Sequence, residues 1–585
     1  MKGPEMNPSR RRVLAGSALA LAPALLPAPA LAAGPKRDVA VLGGGMSGLA
    51  VAQELVERGF NVSVYERKAL GGKARSLPVP GTGTGGRLPL PGEHGFRFFP
   101  GFYRHVTDTM RRIPFPGNAG GVRDNLVDIS AGRLSRSGGR ADLGVPDLKG
   151  GGGIDVDWLR ETFTGLLQQV TALPAAEIGF FVNRYIVYVT SSEDRRYGQW
   201  ENVSWWNFIR AEGKSAEYQA IVAKFLTRGL VAVKEEVAST RTVGNMGQAF
   251  LLSAAGLGTD GDAGLARMLN APTNEAWIDP WTRHLRELGV NFHLGQTVEA
   301  LDVKNGRIDA ARTVDAAGKR HRIDADWFVC AVPPNRAVDL WSREVLAHAP
   351  ELEGTRHLHT DWMNGIQFYL RETPRGLGEL LSFMDSPWQL TAILQSSIWN
   401  RDFTRDYGDG NVADCLSLDI SDWDAPGILY GRPAKQCSPA EVAKECWAQM
   451  KAHLEDTGAS VLPDGVLHSW FLDPAITWHP GLGRNTNDEP LTVNTIGTWT
   501  RRPRARTGIP NLFVAGDYVQ TNTDLATMES ANESARAAAN ALLEAADSPA
   551  APAETWKLYQ PPELDALKKL DAQRYKAGRP HLFDV

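Results

Sequence analysis

The segment DVAVLGGGMSGLAVAQELVERGFNVSVYE, residues 38–66, decides the fold class of this 585-residue chain. Its first five residues form a short apolar run that is typical of a buried parallel strand. Gly43, Gly45 and Gly48 then satisfy the pattern GxGxxG, and a helical stretch leads to a second apolar run. Glu66 follows that run. This order predicts the nucleotide-binding half of an α/β domain with a parallel sheet: a strand, a glycine turn, a helix, a second strand and an acidic residue.

Each part of this segment has a physical role in holding a dinucleotide. Gly43 permits the tight turn, Gly45 lets the backbone approach the pyrophosphate, and Gly48 lets the helix pack on the strand. The N-terminus of the helix offers free N–H groups to the phosphate charge. Glu66 can accept hydrogen bonds from a ribose and disfavours a 2′-phosphate. A glycine-rich turn in some other α/β protein is the alternative interpretation.

The next segments resemble those of the FAD-dependent amine oxidase and phytoene desaturase superfamily. ERKALGGKARS, residues 66–76, is similar to the second flavin motif of that family, and Arg75 matches the arginine that lies close to the cofactor. GEHGFRFFPGFYRHV, residues 92–106, resembles the segment that runs past the isoalloxazine ring. His94 and Gly95 match that segment best. The combination favours FAD over NAD.

Three later segments continue the resemblance in the order of the family. LGVNFHLGQTVEAL, residues 288–301, resembles the strand pair that places a backbone contact near the adenine, at Val298. DADWFVCAVPP, residues 324–334, resembles a returning strand with its A-x-P turn. NLFVAGD (511–517) and ATMESANESARAAANALL (526–543) resemble the last strand and helix. The positive end of that helix would stabilise the negative charge of a reduced flavin.

The resemblance implies an α/β fold: a Rossmann-like FAD-binding domain with a parallel sheet and an inserted α+β substrate domain. It also implies noncovalent FAD, because no Cys or His matches a covalent flavin link. The residues predicted to bind FAD are Gly43, Gly45, Met46, Ser47, Gly48, Glu66, Arg67, Gly72, Lys73, Arg75, Gly95, Phe96, Val298, Ala331, Gly516, Asp517, Met528 and Ala531. His94 is the candidate catalytic residue, since an imidazole can transfer protons. A histidine that only holds the flavin loop is the alternative.

The N-terminal stretch SRRRVLAGSALALAPALLPAPALAAG, residues 9–34, resembles a twin-arginine signal peptide. Its apolar run is shorter than the roughly 20 residues of a membrane-spanning helix. Ala30-Leu31-Ala32 supplies the small residues of a cleavage site. An uncleaved tail or a membrane anchor is the alternative. We expect the twin-arginine machinery to export the folded, cofactor-loaded protein to the periplasm or the extracellular space, as a soluble or membrane-peripheral protein.

The motifs divide the chain into predicted regions. The regions are a signal peptide (1–32), three parts of the FAD-binding domain (36–112, 265–336 and 486–545), two parts of the substrate domain (113–264 and 337–485) and a C-terminal tail (546–585). Four scattered cysteines without CxxC spacing predict no metal site and no required disulfide. The net charge of −4 is too small to indicate nucleic acid as a partner.

The sequence leaves the substrate open. AGDYVQTNTDLATMESANES, residues 515–534, looks closer to phytoene desaturases and hydroxysqualene dehydroxylases than to amine oxidases. This favours oxidation of an apolar, isoprenoid-like substrate by hydride transfer to flavin N5. An amine or amino-acid oxidase that releases hydrogen peroxide is the alternative, and an FAD-binding protein without turnover is a third. An exported enzyme meets no nicotinamide pool, so we expect O2 or a quinone as electron acceptor.

Aromatic residues of the two insertions are candidates for lining a substrate tunnel, and core packing is the alternative for each of them. These residues are Phe180, Phe181, Tyr185, Tyr188, Trp205, Trp206, Phe208, Trp388 and Trp399.

Overall fold

The computed structural model describes residues 37–129, 132–144, 154–261 and 266–584. The predicted signal peptide, residues 1–32, lies outside the described residues. Residues 130–131, 145–153, 262–265 and 585 lie outside them as well.

The described ranges contain strands throughout the chain. They are β1 (Asp38–Leu42), β2 (Asn61–Glu66), β3 (Ser76–Pro78), β4 (Pro91–Glu93), β5 (Phe99–Pro100), β6 (Leu126–Asp128), β7 (Gly132–Ser135), β8 (Leu143–Gly144), β9 (Ala266–Leu269), β10 (Asn291–Leu294), β11 (Thr297–Lys304), β12 (Arg307–Val314), β13 (Arg320–Ile323), β14 (Trp327–Cys330), β15 (His359–Asp361), β16 (Asn364–Leu370), β17 (Leu380–Phe383), β18 (Leu390–Leu394), β19 (Asp414–Ile420), β20 (Leu467–Leu472), β21 (Ile476–His479), β22 (Arg484–Asn487), β23 (Leu491–Val493) and β24 (Leu512–Val514).

Helices alternate with these strands. They are α1 (Met46–Val56), α2 (His105–Arg111), α3 (Val156–Val170), α4 (Ala175–Val189), α5 (Glu193–Gly198), α6 (Trp205–Phe208), α7 (Ala216–Tyr218), α8 (Thr240–Ala254), α9 (Asp279–Glu287), α10 (Pro334–Ala337), α11 (Arg343–His348), α12 (Phe403–Asp406), α13 (Pro439–Leu454), α14 (Met528–Ala545) and α15 (Asp565–Lys576). Two π-helical stretches also occur, at Gln219–Gly229 and Asn274–Ile278.

The five-stranded sheet at the centre of the nucleotide-binding domain is parallel, in the order β10-β2-β1-β14-β24. Four of the five residues of β1 are buried, as expected for a strand covered on both faces. The helix α1 connects β1 to its parallel neighbour β2, and it is buried along most of its length against α14. The predicted α/β class with a Rossmann-like domain is confirmed.

The carboxyl ends of four strands bring distant parts of the chain together. Gly43 follows β1, Glu66 ends β2, Ala331 follows β14, and Gly516 comes two residues after β24. In open parallel sheets, ligands bind at this edge, where neighbouring strands have connections that leave in opposite directions. The topology therefore locates a ligand site before any side chain is considered.

The second large sheet has seven strands in the order β20-β16-β19-β18-β17-β7-β8. Its pairs are antiparallel except for β17 with β7, so the sheet is mixed. Both predicted insertions contribute to it, because β7 and β8 come from the first and the other strands from the second. Every residue of β16, β18 and β19 is buried. Helices α3 to α8 form a separate apolar core from the first insertion.

The predicted boundary at residue 113 does not coincide with a structural break. The strand β6 lies beyond it but pairs with β9, and β9 also pairs with β5. The C-terminal tail packs closely as well: Asp571 of α15 is buried against Arg195 of α5, with 2.8 Å between Oδ1 and Nε. Farther back in the tail, the N–H of Trp556 donates to Nε2 of His105.

Across the described ranges, we find no helix that combines the length and the apolarity needed to cross a lipid bilayer. All four cysteines are buried and unpaired.

Candidate active site

A cavity of about 720 Å³ opens at the carboxyl ends of the parallel sheet and reaches the face of the seven-stranded sheet. This volume lies within the range that is usual for small-molecule sites. Predicted site residues lining the cavity are Gly43, Gly45, Met46, Ser47, Glu66, Arg67, Gly72, Lys73, His94, Gly95, Phe96, Val298, Ala331, Gly516, Asp517, Met528 and Ala531. The fold thus brings together residues that are up to several hundred positions apart in the sequence. Two predicted residues, Gly48 and Arg75, do not line the cavity.

Gly43 and Gly48 shape the turn that follows β1. Gly43 has a φ of +111°, and a Cβ on it would lie 2.7 Å from the carbonyl oxygen of Ala331. A Cβ on Gly48 would lie only 1.9 Å from the carbonyl oxygen of Gly43. Gly48 therefore acts behind the cavity wall, where the helix packs on the strand, and its predicted role in cofactor binding is indirect.

The start of α1 has the features of a phosphate site. Its N-cap residue, Gly45, has no side chain to satisfy the first N–H groups of the helix, and these groups face the cavity. Glu66 borders the same space, where its carboxylate accepts the N–H of Gly44 at 2.8 Å and that of Lys68 at 2.7 Å. These features fit a dinucleotide cofactor: a helix N-terminus without a capping side chain, a glycine turn, and an acidic residue at the end of β2 that can bind a ribose. The residues present therefore fit FAD.

Arg75 lies behind the cavity wall. Its side chain is largely buried, and its guanidinium donates to the carbonyl oxygen of Gly72 at 2.5 Å. The same guanidinium lies 3.3 Å from the carboxylate of Glu489. Gly72 and Glu489 both line the cavity, so Arg75 supports the wall from outside. A direct approach of Arg75 to the cofactor stays a prediction, since Arg75 does not line the cavity.

The start of α14 forms another part of the wall. The Thr527 side chain caps this helix by accepting the N–H of Ser530. Glu529 is buried and accepts the backbone N–H groups of Arg104 and His105, each at 2.8 Å. Its Oε1 also lies 2.7 Å from Nδ1 of His105. The carboxylate therefore joins the N-termini of α2 and α14, and it keeps Met528 at the cavity.

His94 lies between two carboxylates. Its Nδ1 is 2.6 Å from Oδ2 of Asp473 and 3.8 Å from Oε2 of Glu489. Burial acts to raise the pKa of Asp473, but the adjacent His94 ring lowers it below its usual range. Burial also acts to raise the pKa of Glu489, and Arg75, His94 and Lys68 together lower it. The His94 Nδ1 lies close to both carboxylates, and the catalytic role and the alternative of holding the flavin loop both stay predictions for this residue.

Part of the cavity lining is aromatic. Phe102 and Phe250 are in edge contact with 5.2 Å between ring centroids, and Phe98 lies 6.3 Å from Phe250. Tyr103 packs against Phe102 at 5.3 Å. Phe96 completes this aromatic part of the lining. Apolar side chains of this kind favour a substrate portion that carries few polar groups.

The aromatic residues predicted to line a tunnel lie elsewhere. Those of the first insertion are buried in or packed against the core formed by α3 to α8. Trp388 lies in the core of the seven-stranded sheet, and Trp399 lies in a smaller core beside it. The tunnel prediction is wrong for these residues, and the alternative of core packing holds, because the aromatic side chains fill three separate cores.

Asp419 contributes a carboxyl to the cavity wall that no sequence motif predicted. Burial raises the pKa of Asp419 to about 7, an effect that Arg97 and the N–H of Phe96 oppose and that Glu93 and Asp473 strengthen. Its position in the centre of β19 hides it from any motif. The available signal was a single charged residue inside the apolar run CLSLDI, residues 415–420. A buried strand keeps such a residue at a cost in free energy.

The chain is similar to several known proteins. A zeta-carotene desaturase of Synechocystis sp. is 23% identical over 530 residues, which cover 86% of this chain and 97% of that protein. A carotenoid phi-ring synthase of Chlorobaculum tepidum is 23% identical over 296 residues, and the match spans 48% of this chain but only 40% of the length of that synthase. Among solved structures, cyclohexylamine oxidase from Brevibacterium oxydans superposes with a TM-score of 0.57 at 12% identity, over 88% of this chain and 99% of that one. Identity at that level shows the fold alone.

Two family models match the chain. Residues 41–113 match an NAD(P)-binding Rossmann-like domain, and residues 229–543, more than half of the chain, match the flavin containing amine oxidoreductases. The second match includes the strands and the helix that form much of the cavity wall. The chain therefore belongs to the flavin containing amine oxidoreductase family and is an oxidoreductase enzyme with a flavin cofactor.

Proposed function

We propose that this enzyme uses noncovalently bound FAD to dehydrogenate a large, mostly apolar substrate of isoprenoid type. The observation that carries the proposal is the continuity of one cavity from the glycine turn after β1 to the aromatic wall around Phe102 and Phe250. The glycine turn and the helix N-terminus suit a dinucleotide, and the aromatic wall suits a carbon chain. When bound, the isoalloxazine accepts a hydride from a substrate carbon.

The residues of the wall divide into groups by the part of FAD they would hold. The helix N-terminus at Gly45 suits the pyrophosphate, and Glu66 suits the adenosine ribose. Asp517 faces the cavity and accepts a hydrogen bond from Thr492 at 3.3 Å, so it is positioned for hydroxyl groups of the cofactor. None of the four cysteines lines the cavity, which supports noncovalent binding.

Two findings support an apolar substrate. The zeta-carotene desaturase that this chain resembles over most of its length is named for a polyisoprenoid substrate. The cavity lining is also rich in aromatic and aliphatic side chains, among them Leu230, Val231 and Met246. Desolvation of such surface by a hydrocarbon chain is favourable.

Oxidation of a small amine is the second candidate function. The observation that favours it is the carboxyl of Asp419 in the cavity wall, which would attract an ammonium group. The fold shared with cyclohexylamine oxidase agrees with this candidate but does not argue for it, because the identity is only 12%.

We further propose that the twin-arginine motif at residues 9–14 directs export, and that O2 or a quinone reoxidises the flavin. The motif supports export of a folded protein, which suits a cofactor that is inserted in the cytoplasm. A compartment without nicotinamide nucleotides leaves O2 and membrane quinones as acceptors.

Anaerobic flavin bleaching tests the proposed function. The purified holoenzyme is mixed with ζ-carotene, with the matched compounds farnesene, farnesol and farnesylamine, or with cyclohexylamine. Bleaching by any compound with an isoprenoid chain supports the proposal, and bleaching by cyclohexylamine alone supports the second candidate. Bleaching by dithionite alone would contradict both. Heat denaturation tests the binding mode, since noncovalent FAD then appears in the protein-free supernatant.

A further inference from the structure

A buried carboxylate lies in the first turn of α14, behind the cavity wall. Glu529 is only 2% exposed, whereas Met528 and Ala531 of the same helix line the cavity. The carboxylate accepts three successive backbone N–H groups at the start of α2, at 2.8 to 3.0 Å. In the part of the chain that the structure describes, no lysine or arginine forms an ion pair with it. Its negative charge is therefore stabilised by backbone dipoles and not cancelled by a cation in contact with it.

His105 binds this carboxylate through a ring whose two nitrogens have different partners. Its Nδ1 lies 2.7 Å from Oε1 of Glu529, and its Nε2 lies 2.9 Å from the backbone nitrogen of Trp556. A backbone N–H can only donate, so Nε2 accepts that bond and the ring proton lies on Nδ1. The ring is therefore a neutral donor, and it leaves the charge of Glu529 uncompensated.

Trp556 belongs to the C-terminal tail, which α14 holds in place. Asn540 of α14 exchanges two hydrogen bonds with the backbone of Ala553, at 2.9 and 2.7 Å. The guanidinium groups of Arg104 and Arg536 lie over the Trp556 ring, 5.0 and 5.3 Å from its centroid. The tail thus fixes the backbone N–H that determines which nitrogen of His105 carries the proton.

The charge of Glu529 reaches the cavity. Burial acts to raise the pKa of Glu529, but the His105 ring and the N–H groups of His105 and Val106 lower it below its usual range, so the carboxylate is ionised at neutral pH. Tyr103 lines the cavity, and its pKa is raised mainly by burial and further by the charge of Glu529. Little water lies between buried groups to screen such a charge. Negative charge that forms in the cavity beside the start of α14 is therefore repelled.

We propose that Glu529 lowers the reduction potential of the bound flavin, and that Trp556 keeps it low by holding His105 neutral. The start of α14 stabilises negative charge on a reduced flavin, and a carboxylate in its first turn offsets part of that effect. A lower potential makes the flavin harder to reduce and favours transfer of its electrons to the acceptor. The proposal requires bound flavin but no particular substrate, so it is independent of the proposed function.

Two substitutions of Glu529 separate its charge from its hydrogen bonds. Glu529→Gln keeps the length of the side chain and an oxygen for the N–H groups of α2, but it removes the charge. The ratio of reduced to oxidised flavin at a given potential should rise about tenfold, which is about 30 mV for a two-electron couple. Glu529→Asp keeps the charge and shortens the side chain, and its ratio should stay within about threefold of the wild type. Anaerobic titration of each holoenzyme against a reference dye measures the ratio.

Two substitutions of Trp556 test the tail. Trp556→Pro and Trp556→Ala both remove the indole ring, but only the proline removes the backbone N–H. In Trp556→Pro, Nε2 of His105 is free to take a second proton, and the imidazolium would compensate the charge of Glu529. The ratio of reduced to oxidised flavin in Trp556→Pro should exceed that in Trp556→Ala by up to about tenfold at pH 6 and by less at pH 8, because an imidazole ordinarily gains its second proton in this range. The comparison cancels the pH dependence of the flavin itself, since both variants share it.

The surroundings of the His105 ring identify Glu529 as the partner of an added proton. Among the described residues, Glu529 is the only carboxylate in contact with the ring. Arg536 donates to the carbonyl oxygen of His105 and pairs with Asp108. The other charged side chains on the segments packed around the ring are Arg104, Glu54, Glu554 and Lys557, of which the last two are exposed.

Each pair of variants has an outcome that would overturn the proposal. A purely structural role for Glu529 predicts the reverse order, with Glu529→Gln close to the wild type and Glu529→Asp displaced from it. A ratio in Glu529→Gln within about threefold of the wild type would therefore exclude the effect of the charge. Equal ratios in the two Trp556 variants at pH 6 would exclude the role of the tail. The Trp556 variants leave Glu529 in place, so they test the same charge if Glu529→Gln fails to retain flavin.

Discussion

Replacing Asp419 by Asn should stabilise the protein at alkaline pH, although the residue is buried in the centre of a strand. The pKa of this carboxyl is about 7 in the folded protein, against an ordinary value of 3.8, mainly because burial disfavours its charge. The native state therefore holds the proton more tightly than the unfolded state does. The stabilisation that the neutral form contributes is complete below about pH 4 and is lost as the pH rises through 7.

The size of the effect follows from the two pKa values. One pKa unit corresponds to about 1.36 kcal/mol, so the full difference between protonated and ionised Asp419 is about 4 kcal/mol in the free energy of unfolding. Between pH 5 and pH 8 the expected loss is about 3 kcal/mol. An asparagine has nearly the shape of a neutral carboxyl group and does not titrate. The Asn variant should therefore match the wild type below about pH 4, and its stability advantage should grow by about 3 kcal/mol between pH 5 and pH 8, to about 4 kcal/mol.

Urea unfolding at both pH values measures this difference. The free energy of unfolding is extrapolated for the wild type and for Asp419→Asn, and the difference between the proteins is compared between pH 5 and pH 8. The comparison cancels the contributions of other titrating groups, since both proteins share them. A change in this difference of less than about 0.5 kcal/mol, which is within extrapolation error, or a variant that is the less stable protein at pH 8 would refute the raised pKa of Asp419.

Three further predictions concern the cofactor turn, the tail and export. Gly48→Ala should yield folded but colourless protein, because the new Cβ would lie 1.9 Å from the carbonyl oxygen of Gly43. Flavin absorbance measures the cofactor content and circular dichroism measures folding, and full flavin content would contradict the prediction. Asp571→Asn should lower the free energy of unfolding by about 3 kcal/mol, because it leaves the buried Arg195 unpaired. Urea unfolding measures the loss, with an exposed substitution on α15 as control. Equal losses in the two variants would refute the role of the ion pair. Replacing Arg10–Arg11 by a lysine pair should retain the precursor in the cytoplasm, and fractionation with an antibody measures it; unchanged export would exclude the twin-arginine route.

Sequence and structure agree best in the nucleotide-binding segment. The turn GxGxxG, the helix after it and the acid at Glu66 are local features, and each residue requirement comes from backbone geometry within one βαβ unit. The later strands were predictable for the same reason, since Val298 and Asp517 belong to short motifs whose place in the sheet is set by topology. Even so, the local pattern could not show that Arg75 supports the wall through Glu489 while the backbone of Gly72 faces the cavity.

The polar residues that β17, β18 and β19 place on the cavity wall were beyond prediction because they share no motif. Asp419, Thr391 and Ser382 come from three strands whose neighbours are apolar, and only the register of the sheet aligns them on the cavity wall. The aromatic wall around Phe102 and Phe250 likewise joins two segments that lie far apart in the chain. The sequence by itself determined the cofactor-binding fold, because a dinucleotide turn imposes its requirements on consecutive residues. Only the tertiary structure decided the chemistry of the substrate end, because burial and strand pairing set both the position and the pKa of its carboxyl.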